Sequence, residues 1–375
     1  MAVINYEPLR SMDVTTTKTL LHESIPLTGT IASGTYKESG ETETNIKNYT
    51  HGMFQSVYDY PFLSSSANHI FDLSIGYAKS STLTGAVSAV QESKKINVYN
   101  QFSQVMMGYT SSTNTIREFE LDLTLDQTGS MRDAFFIPLS RLLYKDEIKP
   151  GTFSMTLLTG SWDNPGSSAQ KSASGSAIII TDASASSNAG TTSTMGGDYG
   201  VLYRRYGPNG SYLYSGATGS SDMGVGVIFY QAGIVILSTA SFDGTPVFNS
   251  GSILSGASPT PMTVAQSFTS ASISGSCNAL RKRIANISFN NSTQINSTIY
   301  FCRVPHNKYN HSANPTYLSS SQIRVKNIAS DTPVSYLTTV GLYSSNNELL
   351  AVAKLSEPLK KEPINEITLR VRLDY

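Results

Sequence analysis

The side chains that most often carry out chemistry are few and scattered in this sequence. The histidines are His22, His51, His69, His306 and His311. None of them has the spacing of a metal-binding motif such as HExxH. His306 and His311 are five residues apart, which would place them on opposite faces of a strand. The pattern favours a polar loop over a metal site there, and no cofactor is expected.

Carboxylates are the next candidates for catalysis. Glu118, Glu120 and Asp122 share one face of a strand predicted over 119–125, because side chains alternate along a strand. Paired carboxylates could cleave glycosides, but the other face of this strand is apolar and is the one expected in the core. The carboxylates are therefore predicted on a solvated face. Neither a GxSxG elbow nor a phosphate-binding glycine loop is supported, so no catalytic residue is assigned and no enzyme is expected.

The composition argues against nucleic-acid and membrane partners and favours other protein chains. Of 375 residues only 14% are charged, and 27 Lys and Arg balance 27 Asp and Glu. No basic excess is present to hold a nucleic acid. The longest nearly apolar run, 224–237, is too short to cross a bilayer and predicts a buried pair of strands. A weakly charged surface can be buried against neighbouring chains at little desolvation cost. This suits a subunit of an assembly, although a secreted β protein has the same composition.

Short basic runs and the cysteines give weaker signals. The runs 281–283 and 360–361 predict solvated faces or the salt-bridge rim of an interface. Cys277 and Cys302 are too few for a disulfide framework, so two free thiols are expected, with a single disulfide as the alternative.

Strand patterns dominate the chain. Residues 333–343 and 349–355 predict a hairpin with SSNNE as its turn. Ile367, Leu369, Val371 and Leu373 alternate with polar residues up to Tyr375, which predicts a half-buried last strand. This strand either closes its own sheet or offers a free edge to a neighbour. Pro358 and Pro363 are expected to bracket a stiff link before it.

Helical signals are limited to two places. The spacing of apolar residues over 93–107 predicts a short amphipathic helix. Residues 134–144 predict either a buried strand or one turn of helix, since Pro138 opposes a long helix.

The predicted fold is mainly β, with two or three β-rich, sandwich-like modules, long Ser/Gly-rich loops and one or two short helices. Small and polar residues prevail over 160–200, 206–222 and 243–276, which predicts long loops or excursions between strands, with one short strand candidate at 177–181. We place a β-rich N-terminal module at 1–150, a loop-rich middle module at 151–280 and a C-terminal β module at 281–375.

The last part of the chain resembles a known family. The segments YNHSANPTYL (309–318), VSYLTTVGLYSSNNELLAVAKLSEPLKKE (334–362) and LRVRLDY (369–375) are similar to the terminal β module of virion structural proteins in T4-like tailed phages, particularly those of marine cyanobacteria. KDEIKPGTF (145–153) and VIFYQAGIVIL (227–237) are weaker matches.

The resemblance implies a non-enzymatic virion protein of the contractile tail baseplate or neck. Its implied partners are other virion structural proteins and further copies of itself, with no nucleic acid or membrane. The predicted assembly interface comprises Ile367, Leu369, Val371, Leu373, Tyr375, Tyr309, Asn314 and Tyr317. The alternative is a fibre or decoration protein that binds a host-surface glycan, with tyrosines and Trp162 as stacking residues.

Overall fold

The structure is a computed structural model. It describes residues 6–28, 44–85, 89–110, 113–126, 128–157, 178–186, 190–206, 224–242, 253–254, 261–262, 268–269, 271–311, 318–319, 322–323, 328, 330 and 332–375. Trp162, Asn314 and Tyr317, singled out above, lie outside these residues.

Strands make up most of the regular structure. They are β1 Val14–Thr28, β2 Ile46–Asn48, β3 Gln55–Tyr58, β4 His69–Tyr77, β5 Phe119–Glu120, β6 Ser130–Met131, β7 Asp133–Pro138, β8 Glu147–Ile148, β9 Ser154–Leu157, β10 Ile178–Thr181, β11 Thr191–Thr194, β12 Gly197–Tyr206, β13 Gly226–Phe229, β14 Ile234–Ser238, β15 Ile253–Leu254, β16 Pro261–Met262, β17 Ile284–Val304, β18 Leu318–Ser319, β19 Gln322–Ile323, β20 Ser335–Tyr343, β21 Leu349–Lys361 and β22 Ile367–Asp374.

The helices are short by comparison. They are α1 Ala89–Met106, α2 Arg141–Tyr144 and α3 Ile273–Arg283, with 3-10 turns at Ser11–Asp13, Ala183–Ser186 and Thr239–Phe242. The predicted class is confirmed: the chain is mainly β, with a large antiparallel sheet, separate smaller sheets and a few short helices.

The chain packs as two compact units. One contains the described residues within His22–Thr293, and we call it the core unit. The other contains those within Met1–Leu21 and Gln294–Tyr375, and we call it the terminal unit. The module boundaries near 150 and 280 were drawn from composition and stay a prediction.

The core unit is built on an antiparallel sheet with the strand order β9-β10-β12-β13-β14-β7-β4-β3-β2. Its centre includes the strand pair predicted over 224–237, which is confirmed: β13 and β14 pair antiparallel and all their residues are buried. The turn between them needs Gly233, which has φ +63°, and an added Cβ there would lie 2.3 Å from Cε1 of Tyr144.

Both faces of this sheet are covered. On β7, Phe135 and Ile137 belong to one apolar cluster, and Ala134 and Phe136 belong to another on the opposite face. A strand buried on both faces carries an unbroken apolar run instead of an alternating one. This explains why 134–144 was compatible with two predictions: the structure has a buried strand up to Pro138 followed by one helical turn, α2.

Helix α1 confirms the helix predicted over 93–107 and begins earlier, at Ala89. It packs against β4, where Gly76 allows close approach: an added Cβ would lie 2.6 Å from the carbonyl oxygen of Lys95. Its buried stripe contains Val98, Tyr99 and Met106, at helical spacing. It also contains Lys95, whose side chain is fully buried.

Lys95 makes the stability of the core unit depend on pH. Its ammonium donates to the carbonyl oxygens of Phe268 and Ala271, the latter at 2.9 Å. Burial lowers its pKa to about 8 from 10.5. Between these values the unfolded chain holds a proton that the folded chain has released, so this group makes folding more favourable as the pH rises. Below about pH 8 that contribution is absent.

We expect Lys95→Met to remove this dependence. The unfolding free energy of the wild type relative to the variant should rise by about 1–2 kcal/mol between about pH 8 and 10.5. Urea titrations at several pH values measure it. Burial raises the pKa of the Cys277 thiol and thereby opposes the trend, but this term is common to both proteins and cancels in the difference. A difference that stays constant with pH would contradict the assignment.

Two predictions about charged side chains of the core unit are wrong. The strand over 119–125 is only Phe119–Glu120, and the chain bends from 121 to 123. The side chain of Glu120, assigned to a solvated face, is buried at 1% exposure. Arg281, also assigned to a solvated face, is buried on α3, where its guanidinium donates to Gln55 Oε1 at 3.3 Å and Asn278 Oδ1 at 3.0 Å.

Candidate assembly interface

The last strand forms as its sequence predicts. Along β22 the side chains of Ile367, Leu369, Val371 and Leu373 are half-buried, and the polar residues between them are exposed. Tyr375, directly after the strand, is 73% exposed. Four of the predicted interface residues therefore lie on one face of β22 in the terminal unit, and the fifth, Tyr375, directly follows the strand.

β22 pairs with β17 along one of its edges. The register is antiparallel and runs from Ser297 opposite Asp374 to Val304 opposite Ile367. Tyr375 and Asn296 exchange two backbone hydrogen bonds, at 2.8 and 2.9 Å. In an antiparallel ladder such pairs recur at every second residue. The odd-numbered residues of β22 therefore bond to β17, and the N–H and C=O groups of the even-numbered residues point to the other edge.

That other edge we call the free edge, defined by the backbone of Thr368, Arg370, Arg372 and Asp374. Within the described residues β22 pairs with β17 alone. The sequence left open whether the last strand closes its own sheet or presents an edge. Among the described residues, one edge of β22 pairs with β17 and the other has no strand partner.

Side chains hold the end of β22 in register. The Ser297 hydroxyl donates to Asp374 Oδ1 at 2.6 Å, and Arg372 donates to the same oxygen at 2.7 Å. These two donors hold the pKa of Asp374 below its usual value. Arg372 also donates to the Ser297 hydroxyl at 3.0 Å. The strand is thus fixed on β17 before any partner arrives.

The predicted hairpin is confirmed as β20 and β21. Its turn is closed by Ser344, whose N–H donates to the carbonyl of Glu348 at 2.9 Å and whose hydroxyl accepts from the N–H groups of Asn346 and Glu348. Asn347 has φ +63°, a region that asparagine tolerates.

One face of this two-stranded ribbon is apolar and exposed. Val352 lies opposite Gly341, and an added Cβ on Gly341 would contact Tyr343 and Leu349, so these side chains share a face. Leu350, two residues before Val352, extends it. Val352 is 55% exposed and Leu350 is 68% exposed. We call Tyr343, Leu349, Leu350 and Val352 the hairpin patch; the ring of Tyr6 lies 4.8 Å from that of Tyr343.

The link predicted between the prolines is shorter than expected. Leu359, Lys360 and Lys361 still belong to β21 and pair with the start of β20. Pro358 is accommodated because the register shifts between Leu337 and Thr339, which leaves the residues around Pro358 outside the regular ladder.

Tyr309 lies in a polar loop, as predicted for the residues around His306. It has φ +56°, and its carbonyl accepts a hydrogen bond from the Ser335 hydroxyl. Asn310 donates to the carbonyl of His306 at 2.7 Å, and the His306 ring lies 3.1 Å from Glu366. The predicted interface residues Asn314 and Tyr317 lie outside the described residues.

Lys361 anchors this loop, and sequence reasoning missed it. Its side chain is fully buried, and its ammonium donates to the carbonyls of His306 and Glu362 and to Asn310 Oδ1, at 3.2, 2.8 and 2.7 Å. The run 360–361 predicted a solvated face or a rim, which holds for Lys360, exposed and paired with Glu362 at 2.5 Å. No sequence pattern indicates which of the two adjacent lysines is buried.

Among the described residues, the acidic side chains singled out as catalytic candidates do not converge on a common site. Glu118 accepts from Arg132 at 3.3 Å and Asp122 closes a local turn with Thr124, so the two carboxylates serve separate contacts. Among the described residues no group of three or more histidine, cysteine or acidic side chains could hold a metal ion. Cys277 and Cys302 are free thiols. Within the same residues, no helix has the length and apolarity that a membrane span requires.

Comparison with known proteins adds no family. Neither the protein-family models, nor the curated proteins, nor the solved structures contain a match to this chain.

Proposed function

We propose that this chain is a structural component of a tailed-phage virion, in the contractile tail baseplate or neck, and that it works through protein–protein contacts without catalysing a reaction. The resemblance of segments 309–318, 334–362 and 369–375 to phage virion proteins supports the kind of particle. The geometry of the terminal unit supports the mode of action.

The observation that carries the proposal is the free edge of β22. Strand edges present unpaired N–H and C=O groups that readily pair with another strand. This edge is ordered and fixed on β17, so a partner strand would bind without first ordering its target.

The hairpin patch supplies a second contact in the same unit. An isolated two-stranded hairpin is marginal in water, and contiguous apolar patches on a surface mark interaction sites. The weakly charged composition fits burial of these surfaces, because few ions would lose their hydration. The partners we propose are further copies of this chain and other virion structural proteins.

Two measurements test the proposal together. Analytical ultracentrifugation of the purified chain over a wide concentration range should show reversible self-association. Mass spectrometry of purified virions whose genome encodes the chain should find it in multiple copies. A chain that stays monomeric and does not occur in particles would refute the proposal.

A further inference from the structure

The core unit contains a pocket that the proposed function does not use. Its volume is about 350 Å³. It lies between α1, β4 and the turn that joins β2 to β3. The lining residues are His51, Met53, Phe54, Asp72, Leu73, Ser74, Val98, Gln101, Phe102 and Pro138.

The way α1 packs on β4 forms the floor and one wall of the pocket. Gly76 lets the helix contact the strand closely. Asp72 and Ser74 lie on the same face of β4 as Gly76, since side chains alternate. Beyond the contact of Gly76 with α1, this face of β4 forms the floor of the pocket, and Gln101 and Phe102 of α1 form the wall next to it.

The opposite wall is held in place by hydrogen bonds. The Ser74 hydroxyl donates to the carbonyl of Met53 at 2.6 Å, and the Lys94 ammonium donates to the carbonyl of His51 at 3.0 Å. Both bonds tie the turn to the elements that form the rest of the pocket. The pocket is thus preformed, which lowers the cost of binding.

Aromatic rings with fixed positions line both walls. On the turn, the ring of Phe54 lies 4.6 Å from that of Tyr49 and 5.0 Å from that of His51. On the helix, Phe102 stacks on Phe136, with centroids 4.3 Å apart and planes 6° apart. These rings offer flat, rigid surfaces to an apolar face of a ligand.

The polar groups on the floor mostly accept hydrogen bonds. Asp72 Oδ1 accepts from the Ser56 hydroxyl at 2.5 Å and lies 2.8 Å from His69 Nε2. The Ser74 hydroxyl has committed its proton to Met53, so its oxygen can only accept. Gln101 can donate and accept. A ligand that satisfies this floor must bring several donors as well as an apolar face.

The charges nearby favour a neutral ligand. Lys47 lies 4.8 Å above the Tyr49 ring, and Lys94 is bonded to the turn. The Asp72 carboxylate on the floor would attract a cation and the two lysines would repel it, so the surrounding charges favour neither sign, and any ion would lose its hydration. A pyranose ring is neutral and carries hydroxyl donors around an apolar C–H face. We propose that this pocket binds a neutral sugar, one or two pyranose rings in size, with Asp72 and Gln101 bonding its hydroxyls.

The test uses the full chain and four probes: methyl α-glucopyranoside, methyl β-galactopyranoside, lactose and, as a cationic control, butylammonium. Ligand-observed NMR titrations up to about 50 mM measure the binding. We expect at least one sugar to bind with a Kd in the millimolar range, because the contact area is small.

Matched variants locate the site. Gln101→Ala should weaken sugar binding roughly 3- to 10-fold, as expected for one hydrogen bond. Gln104→Ala changes an exposed glutamine on the same helix outside the pocket and should leave sugar binding unchanged. Asp72→Asn should weaken it about 10-fold or more, since hydrogen bonds to a charged group are stronger.

Three results would overturn the inference. They are the failure of all three sugars to bind at about 50 mM, tighter binding of butylammonium than of any sugar, and equal effects of the Gln101 and Gln104 variants. The assembly proposal concerns the terminal unit, so none of these results would decide it.

Discussion

Replacing Arg370 by proline is expected to weaken association of this chain with its partners at least 10-fold while its own fold persists. Residue 370 is on the free edge, so its N–H points away from β17. Proline removes that N–H and places its ring where a partner strand would pair. No hydrogen bond to β17 is lost, because those bonds come from the odd-numbered residues.

Two further variants make this experiment specific. Arg370→Ala removes the charge but keeps the N–H, and should retain most of the association. Val371→Pro removes an N–H that bonds to β17, and should destabilise the terminal unit itself. Sedimentation velocity measures the association and circular dichroism the fold. If Arg370→Pro associates as well as the wild type, the free edge is not an interface.

Replacing Lys361 by methionine is expected to produce the largest loss of stability in the terminal unit, about 3–5 kcal/mol. The ammonium donates to three acceptors inside the protein. In the variant the carbonyls of His306 and Glu362 each keep a second donor, whereas Asn310 Oδ1 loses this one. A buried polar atom left without a partner costs about 1–3 kcal/mol, and the two lost bonds to carbonyls add about 1 kcal/mol each. Methionine has a similar length and leaves no large cavity, so the loss reports the hydrogen bonds.

The adjacent lysine provides the control. Lys360→Met removes an exposed ion pair with Glu362 and should cost less than about 1 kcal/mol. Hydrogen exchange measured by mass spectrometry should show faster exchange over 305–311 and 359–366 in the Lys361 variant only. Equal protection in both variants would mean that Lys361 does not anchor the loop.

The sequence predicted the elements whose patterns are local. The hairpin β20–β21, the strand β22, the helix α1 and the buried pair β13–β14 each carry a period or a turn signal within a dozen residues. These patterns can be read from the sequence because each element is buried either on one face, which gives a periodic pattern, or on both faces, which gives an unbroken apolar run.

The sequence did not predict which charged residues become buried. Glu120 lies buried at the end of the short strand β5, Arg281 contacts Gln55 from a distant segment, and Lys361 contacts a loop more than fifty residues away. These contacts depend on tertiary packing, and a charged residue is by default assigned to solvent.

The pocket was missed for a related reason. Its walls come from the turn at 51–54, from β4 and from α1, and no single segment resembles a binding motif. The alternative that invoked sugar binding rested on tyrosine content and Trp162, whereas the pocket relies on Phe54, Phe102 and Asp72.

The alternation along β22 has a consequence for how this protein can diverge. If a partner recognises the outward N–H and C=O groups of residues 368, 370, 372 and 374, the information lies in the main chain, which every amino acid except proline preserves. Related proteins could then exchange the side chains at 368 and 370 freely while retaining the same neighbour. Selection would then be visible as the absence of proline from the free edge.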